Sequence, residues 1–372
     1  MLQRLYVHNF RCLENFELNM KGMSSALLIG KNGSGKSTIA AVLEILQQIS
    51  RGNNRMVMLE KLISYKDFAR GRSDVPIRFE IEVLLANQLY KYVLALDLPE
   101  KSTELQVIEE QLLVAGEIIY SRQEAKLALH NAPQNRDFLN LDARFVALPL
   151  IKHQSQLDPI YIFNNWLLTQ MIILSPIPSL MTGESKGNNF WPERDGTNLG
   201  EWLSALLSIY PAAYTQIDKY LREVMPDIQD FLNPPSGPNF KSMIVRFAEN
   251  KANLSVDFKD LSDGEKCFFL CAIVLAANKF YGPLFCFWDE PDNYLSLSEV
   301  GHFITSLRRS FNNGGQILVA SHNPEAIRKF SNENTFVLDR KSHLEPTLIR
   351  LLSDLEVKGD LINSLISGDI EL

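Results

Sequence analysis

Four groups of residues in this chain have the types and spacing for phosphate chemistry. The first is Gly30-Lys-Asn-Gly-Ser-Gly35-Lys36-Ser37-Thr38, which reads as Gly-x4-Gly-Lys-Ser. Glycines let a backbone wrap an anion with its N–H groups, and the start of a helix adds a favourable dipole. Lys36 is placed to reach the β- and γ-phosphates of a nucleotide, and the Ser37 hydroxyl to ligate Mg²⁺. The second group, Asp289-Glu290-Pro291, ends the apolar run Leu284-Phe-Cys-Phe-Trp288. Acidic residues at the C-terminal end of a buried strand face the crevice in which α/β sheets take ligands. There Asp289 would hold Mg²⁺ through water, and Glu290 would polarise an attacking water. The third is His322, in Ser321-His322-Asn323-Pro324 after the apolar run Gln316-Ile-Leu-Val-Ala320, where it reads as a γ-phosphate contact. The fourth, Leu261-Ser262-Asp263-Gly264-Glu265-Lys266, opens an apolar helix reaching about Asn278. Taken by itself, Ser262 is an N-cap with Glu265 completing a capping box, and the same helix start is ready for an anion.

The surrounding pattern supplies elements to position these groups. Ala26-Leu-Leu-Ile29 reads as a buried strand, and a helix from Ser37 to about Ser50 stops at Arg51-Gly-Asn-Asn. A strand before and a helix after separate a phosphate loop from a Gly-rich turn that matches by chance. Upstream, strands at Gln3–Asn9 and Glu14–Leu18 flank a turn at Phe10-Arg11-Cys12, and Val57–Tyr65 reads as helical. Ile77–Leu129 alternates in short runs and predicts an antiparallel meander, followed by a polar loop over 131–142. A helix through Trp166–Met171 leads to a short strand, Met171-Ile-Ile-Leu174, and an irregular stretch runs from Pro176 to Gly200. A helical block over Glu201–Met225, broken near Pro211, precedes the linker-like Asn233-Pro-Pro-Ser-Gly-Pro-Asn239 and strands at Met243–Phe247 and Leu254–Phe258.

Composition bounds the reading. The 372 residues are 46% apolar and 22% charged, an ordinary globular mix able to bury a sizeable core. The net charge of −7 gives no bulk attraction to nucleic acid, while leaving room for a local basic groove. No apolar run is long enough to span a membrane, and the opening residues lack the order of a secretory signal. Cys267 and Cys271 sit one helical turn apart without metal-site companions. They read as core thiols of a reduced, cytoplasmic protein.

Taken together, Gly30–Thr38, Leu261–Lys266, Asp289-Glu290-Pro291 and His322 resemble the Walker A, signature, Walker B and switch-histidine motifs of ABC-type ATPases. Asp292-Asn-Tyr-Leu-Ser296 is similar to their D-loop. The long gap from Walker A to signature looks unlike transporter ATPases and more like the RecF/SMC branch. That branch takes in stand-alone bacterial ATPases and the amino-terminal part of OLD nucleases. Asn9-Phe10-Arg11, Arg194-Asp-Gly-Thr-Asn-Leu199 and Ser367-Gly-Asp-Ile370 look like further blocks of it. There are departures. Ser296 stands where many relatives have histidine, Gln154, Gln156 and Gln170 compete for the Q-loop position, and no nuclease domain follows His322.

The resemblance implies an α/β P-loop NTPase with ABC-ATPase head architecture, an antiparallel β subdomain, a helical insertion and no long coiled coil. Its parts would be lobe I (1–145), a helical and loop insertion (146–240) and lobe II (241–372). ATP and Mg²⁺ are the implied cofactors. Gly30, Asn32, Gly33, Ser34, Gly35, Lys36, Ser37 and Thr38 would bind the nucleotide, with Ser37 and Asp289 at the metal and Glu290 and His322 catalytic. A head-to-tail homodimer would sandwich two ATP, with Ser262, Gly264 and Glu265 of one copy closing over the γ-phosphate held by the other. Such a switch would grip DNA or license a separately encoded effector such as a nuclease, in DNA maintenance or phage defence. The alternative is a regulatory or scaffold ATPase that holds a protein partner without touching nucleic acid. A transporter ATPase ranks below both.

Overall fold

The computed structural model describes residues 1–130, 138–153, 155–187, 189–238 and 240–355. They form two compact units. The first comprises Met1–Met23, Leu28–Met171 and the chain from Asn332 onward; the second comprises Ser24–Leu27 and Ile172–Ser331.

The first unit begins with β1 (Leu2–His8) and β2 (Phe16–Asn19). The boundary between the units falls inside β3 (Ser25–Ile29), and α1 (Lys36–Ser50) follows. The meander is then β4 (Ile77–Leu85), β5 (Gln88–Asp97), β6 (Gln106–Val114), β7 (Glu117–Gln123), β8 (Lys126–Leu129) and β9 (Phe138–Asn140). The meander is larger than its own segment suggested. β1 and β2 join it, giving one antiparallel sheet ordered β2-β1-β4-β5-β6-β7-β8-β9. Period-two alternation explains its two faces. Val7, Phe16, Phe79 and Ile81 are buried, while Arg4, Arg78 and Lys91 on the polar face pair with Glu17, Glu80, Glu82 and Glu109.

A charged pair is sealed inside this unit. Glu110 on β6 and Arg122 on β7 have fully buried side chains 3.8 Å apart. The Glu110 carboxylate accepts from the Tyr92 and Tyr120 hydroxyls at 3.1 and 2.9 Å. It also accepts from the backbone N–H groups of Ala147 and Leu148 at 2.7 and 2.8 Å. Arg122 donates to the carbonyls of Glu124, Asp142 and Phe145. The pair thereby pins 141–148 onto the sheet, although burial pushes the Glu110 carboxyl above its usual range.

After α2 (Pro159–Asn165) the chain makes a wider π turn, Trp166–Gln170, and enters β10 (Met171–Leu174). The second unit continues with β11 (Glu184–Ser185), α3 (Leu199–Ile209), α4 (Ala213–Val224) and β12 (Ile228–Leu232). It goes on with β13 (Pro235–Gly237), β14 (Phe240–Ser242), β15 (Ile244–Glu249) and β16 (Ala252–Asp257). These strands form two small sheets, β11-β14-β13 and β12-β15-β16. α5 (Asp263–Phe280) is buried without interruption from Lys266 to Asn278, the behaviour of a helix apolar on all sides. Phe231 and Phe258 meet its Phe269 edge-on, with ring centroids 5.7 and 5.4 Å away. The unit closes with β17 (Phe285–Asp289), α6 (Leu297–Asn312), β18 (Gln316–Ala320) and the short α7 (Pro324–Ile327). β17 and β18 are parallel, wholly buried and in register from Phe285 opposite Gln316 to Asp289 opposite Ala320. The chain then returns to the first unit as the antiparallel pair β19 (Thr335–Asp339) and β20 (Leu348–Leu351).

Several local expectations change. Val57–Tyr65 forms no α-helix but short 3₁₀ turns at Met56–Leu59 and Tyr65–Asp67. The Met56 N–H donates to the Arg144 carbonyl and Arg55 bridges Phe145, so tertiary pairing overrides propensity. The linker-like 233–239 contains β13, which pairs with β14 and ties the segment into the second unit. The helix expected through Trp166–Met171 starts earlier, at Pro159, where the Asp158 carboxylate caps it by accepting from the Ile160 N–H. By contacts, 146–171 and 332–355 fold with the first unit and 172–240 with the second. Gln154, most of the polar loop over 131–142 (131–137) and the Ser367–Ile370 block lie outside the described residues. All four cysteines are buried and free, and burial pushes the Cys267 thiol up to about 12.

The buried pair gives a stability test. Glu110→Ala strands Arg122 as an uncompensated charge and should lower unfolding free energy by about 3–5 kcal/mol. Adding Arg122→Met should recover part of that loss. Urea denaturation checks both, and an additive double variant would deny the coupling.

Candidate functional site

In the first unit the phosphate loop lies between β3 and α1. Its shape needs glycine at two places. Gly30 has φ 153°, and a Cβ there would stand 2.2 Å from the Leu338 carbonyl oxygen. Gly35 has φ 104°, and a Cβ there would stand 3.0 Å from Cys12 Sγ and 3.1 Å from Thr347 Oγ1. The loop is thus seated on β19, on the turn after β1 and on the residue preceding β20. Gly35 is also the N-cap of α1, and no side chain caps that helix. An N-terminus without a side-chain cap presents N–H groups and a positive dipole end to an anion.

Lys36 is buried and folds back over the loop, its Nζ donating to the Gly30 carbonyl at 2.6 Å and the Lys31 carbonyl at 3.3 Å. Asn32, Gly33 and Ser37 are exposed, and Thr38 is half-buried. Ser34 Oγ is buried with no hydrogen-bond partner, an orphan in a loop otherwise rich in donors. A Gly-lined curve, an uncapped helix start, an orphan hydroxyl and a lysine match a polyphosphate. Among the described residues no cluster of three or more His, Cys, Asp or Glu could hold a metal.

The acidic group lies in the second unit. Asp289 ends β17 and is buried. Glu290 comes next, with φ 50°, the left-handed region that costs a non-glycine residue about 1–2 kcal/mol. Its N–H donates to the Ala320 carbonyl at 2.8 Å, which holds the turn at the end of the β17–β18 pair. The side chain is half-exposed, accepts from Asn293 Nδ2 and stands 3.8 Å from His322 Nε2. Strain of this kind persists where surrounding structure fixes it, and it clusters at functional sites. Asp292 beneath is buried against Ser321 and Asn323, and burial pushes its carboxyl up.

Ser262 caps α5 in the same unit, completing the capping box. Its Oγ donates to Glu265 Oε2 at 2.6 Å, the Ser262 N–H donates to the same oxygen, and the Glu265 N–H returns to Ser262 Oγ. A Cβ on Gly264 would lie 3.0 Å from the Tyr294 carbonyl oxygen, so the signature-like turn abuts the segment after Glu290. The structure therefore gathers the predicted residues into two sets. Gly30 to Thr38 stand together in the first unit. Asp289, Glu290 and His322, with Ser262, Gly264 and Glu265, stand in the second.

Some residues here carried no sequence signal. Thr347 is 2% exposed; its Oγ1 donates to the Ser34 carbonyl at 2.9 Å and its N–H to the Cys12 carbonyl at 2.8 Å. Gln47 on α1 donates to the Met171 carbonyl and anchors the helix from behind. Of the Q-loop candidates, Gln170 closes the π turn before β10 and Gln156 is exposed. Only a pattern linking residue 347 to the loop across some 310 positions could have flagged Thr347.

A sequence profile described as "AAA domain, putative AbiEii toxin, Type IV TA system" matches residues 25–328. No curated protein matches the chain. Among solved structures, an SMC head bound to the C-winged helix domain of ScpA superposes with a TM-score of 0.54 at 14% identity. That match covers 95% of this chain and 98% of that one. A Pyrococcus furiosus SMC head, with an extended coiled coil and bound to the C-terminal domain of ScpA, gives 0.50 at 13% identity. It covers 95% and 97% of the two chains. The fold is thus that of an SMC head, without a long coiled coil among the described residues. No helix among them is long and apolar enough to cross a membrane.

Thr347→Val removes one buried donor to the loop, which costs about 1–1.5 kcal/mol when the acceptor stays unpaired. Affinity for a fluorescent ATP analogue should fall about threefold to tenfold, with Thr347→Ser close to the parent. Equal affinity in all three proteins would show that the loop keeps its shape without this bond.

Proposed function

We propose that this chain, which belongs to the AAA domain family of the AbiEii type, is an ATP-driven switch: it binds Mg-ATP, pairs with a second copy and hydrolyses the nucleotide slowly. The observation that carries the reading is the uncapped start of α1, with Gly30 and Gly35 shaping its loop and Lys36 lying across it. Bound Mg²⁺ would neutralise phosphate charge, with Ser37 and Asp289 as its protein ligands. Lys36 would leave the Gly30 carbonyl for the β- and γ-phosphates. Glu290 would orient and polarise the water, and His322 beside it would contact the γ-phosphate.

The second copy has a defined task in this proposal. Ser262 and Gly264, with Glu265 behind them, would meet the γ-phosphate of the opposing subunit. Ser262 Oγ donates to the Glu265 carboxylate in the isolated chain, so closure would redirect that hydroxyl to a phosphate oxygen and exchange one charge-assisted bond for another. ATP then holds two copies together, and hydrolysis removes the group that both grip. The output we propose is control of a separately encoded effector, a nuclease being the leading class, in DNA maintenance or phage defence. The net charge of −7 supports a second reading, a regulatory ATPase that holds a protein partner without nucleic acid.

Glu290→Gln should preserve Mg-ATP binding while cutting hydrolysis by roughly a hundredfold or more, the range seen when a general base is lost. With ATP it should elute from size exclusion as a dimer, and without ATP as a monomer. A strictly monomeric profile with ATP bound would contradict the switch. Lys36→Ala should weaken nucleotide binding; undiminished affinity would contradict the loop assignment.

A further inference from the structure

α6 presents Thr305, Arg308, Arg309 and Asn312 along one side, at spacings of three and four residues. With Asn313 and Lys329 these residues line a cavity of about 430 Å³ that contains no acidic side chain. Most other arginines in the chain are matched: Arg4, Arg11, Arg70, Arg72, Arg78, Arg144, Arg222, Arg246 and Arg328 all stand within 4 Å of carboxylates. Among the described residues Arg308, Arg309 and Lys329 have no such partner. Arg55, Arg340 and Arg350 also stand without a carboxylate within 4 Å among those residues; what sets Arg308, Arg309 and Lys329 apart is that they gather around one hollow, in a chain of net charge −7.

Two of the cations are held in place. The Arg308 guanidinium lies 4.6 Å from the Phe330 ring centroid, and its Nε donates to buried Ser25 Oγ at 3.2 Å. Burial pushes its pKa down, the signature of a desolvated charge lacking an anion. The Lys329 stem runs along α6 at Gly301, where a Cβ would come within 3.1 Å of Lys329 Cε. Its neighbour Arg328 turns to Glu325 instead. A wider cavity of about 650 Å³ shares Arg309 and Asn313 and adds Lys219 and Lys279, with Glu223 as its acidic lining residue. The C-terminal carbonyls of α6 oppose an anion with about half a charge, which three full charges outweigh.

We infer that the Arg308–Arg309–Lys329 hollow binds phosphate groups, with the side-chain amide N–H groups of Asn312 and Asn313 as neutral donors; the Thr305 hydroxyl in its wall already donates to the Gly301 carbonyl at 2.7 Å, and Asn312 Oδ1 accepts from Ser24. Guanidinium forks suit phosphate oxygens in pairs, and the short amides suit those left over. The phosphate can be that of a free phosphorylated molecule or that of a nucleic-acid strand running on into the wider cavity. This site belongs wholly to the second unit and does not depend on the nucleotide chemistry proposed for the loop.

The test is arginine footprinting of the full chain with phenylglyoxal at low salt, read by peptide mass spectrometry. The two probes are inorganic pyrophosphate and a fluorescein-labelled single-stranded oligonucleotide. Protection of Arg308 and Arg309 by pyrophosphate alone assigns a free phosphorylated ligand, and protection by the oligonucleotide assigns a strand. In an Arg308→Gln, Arg309→Gln, Lys329→Gln variant, affinity for the protecting probe should fall about tenfold or more. For the oligonucleotide the log–log salt slope should also become shallower by about two. Unprotected arginines with both probes, or a folded variant that binds the protecting probe as the parent does, would overturn the inference.

Discussion

The first turn of α1 has no side-chain cap, and much of the first unit can be understood from that fact. Helices with Ser, Asp or Asn caps satisfy their opening N–H groups internally, as α2, α5 and α7 do. Gly35 leaves that role to something outside the helix. For the loop to curl in front of these groups, the backbone must approach β19 and the Cys12 and Thr347 side chains closely. Only glycine at Gly30 and Gly35 allows the approach. The return of the chain as β19 and β20 is therefore part of the loop, since Thr347 fixes the Ser34 carbonyl from below.

The second unit solves a different problem, that of presenting carboxylates at the end of an apolar parallel pair. β17 and β18 bury every residue, so polar groups can emerge only where the strands stop. Asp289 is the last residue still inside the pair, and Glu290 turns out through a left-handed backbone. A bond from its N–H to Ala320 makes that turn a property of both strands. The same geometry sets His322, two residues after Ala320, beside the Glu290 carboxylate.

The placement of motifs that are contiguous in the chain was legible in the sequence. The Gly30–Thr38 loop announces itself because its glycines, lysine and hydroxyls are contiguous and lie between a strand and a helix. Asp289-Glu290 and His322 were legible for a similar reason, each following an uninterrupted apolar run. The capping box at Ser262 followed from spacing alone. Contacts over long sequence separation were not legible. Thr347 and Cys12 beneath the loop, and Glu110 with Arg122 inside the meander, look like any threonine, cysteine or ion pair until the chain is folded. β1 and β2 gave their own strand signals, but no periodicity said that they complete the later meander. Val57–Tyr65 departs from its helical pattern for the same reason, since the bridge from Arg55 to Phe145 outweighs it.

Charge completes the picture. The acidic balance comes with arginines that are mostly paired, so the unmatched cations on α6 and at Lys329 stand out against it, and the loop keeps its own lysine folded inward. The central claim is that the uncapped start of α1 receives the phosphates of a nucleotide. A crystal structure with Mg²⁺ and a non-hydrolysable ATP analogue tests it most directly. The account predicts β- and γ-phosphates on the backbone N–H groups of residues 33–37, with Lys36 Nζ moved from the Gly30 carbonyl to phosphate oxygens. Density for the analogue elsewhere, with Lys36 still on Gly30, would contradict it.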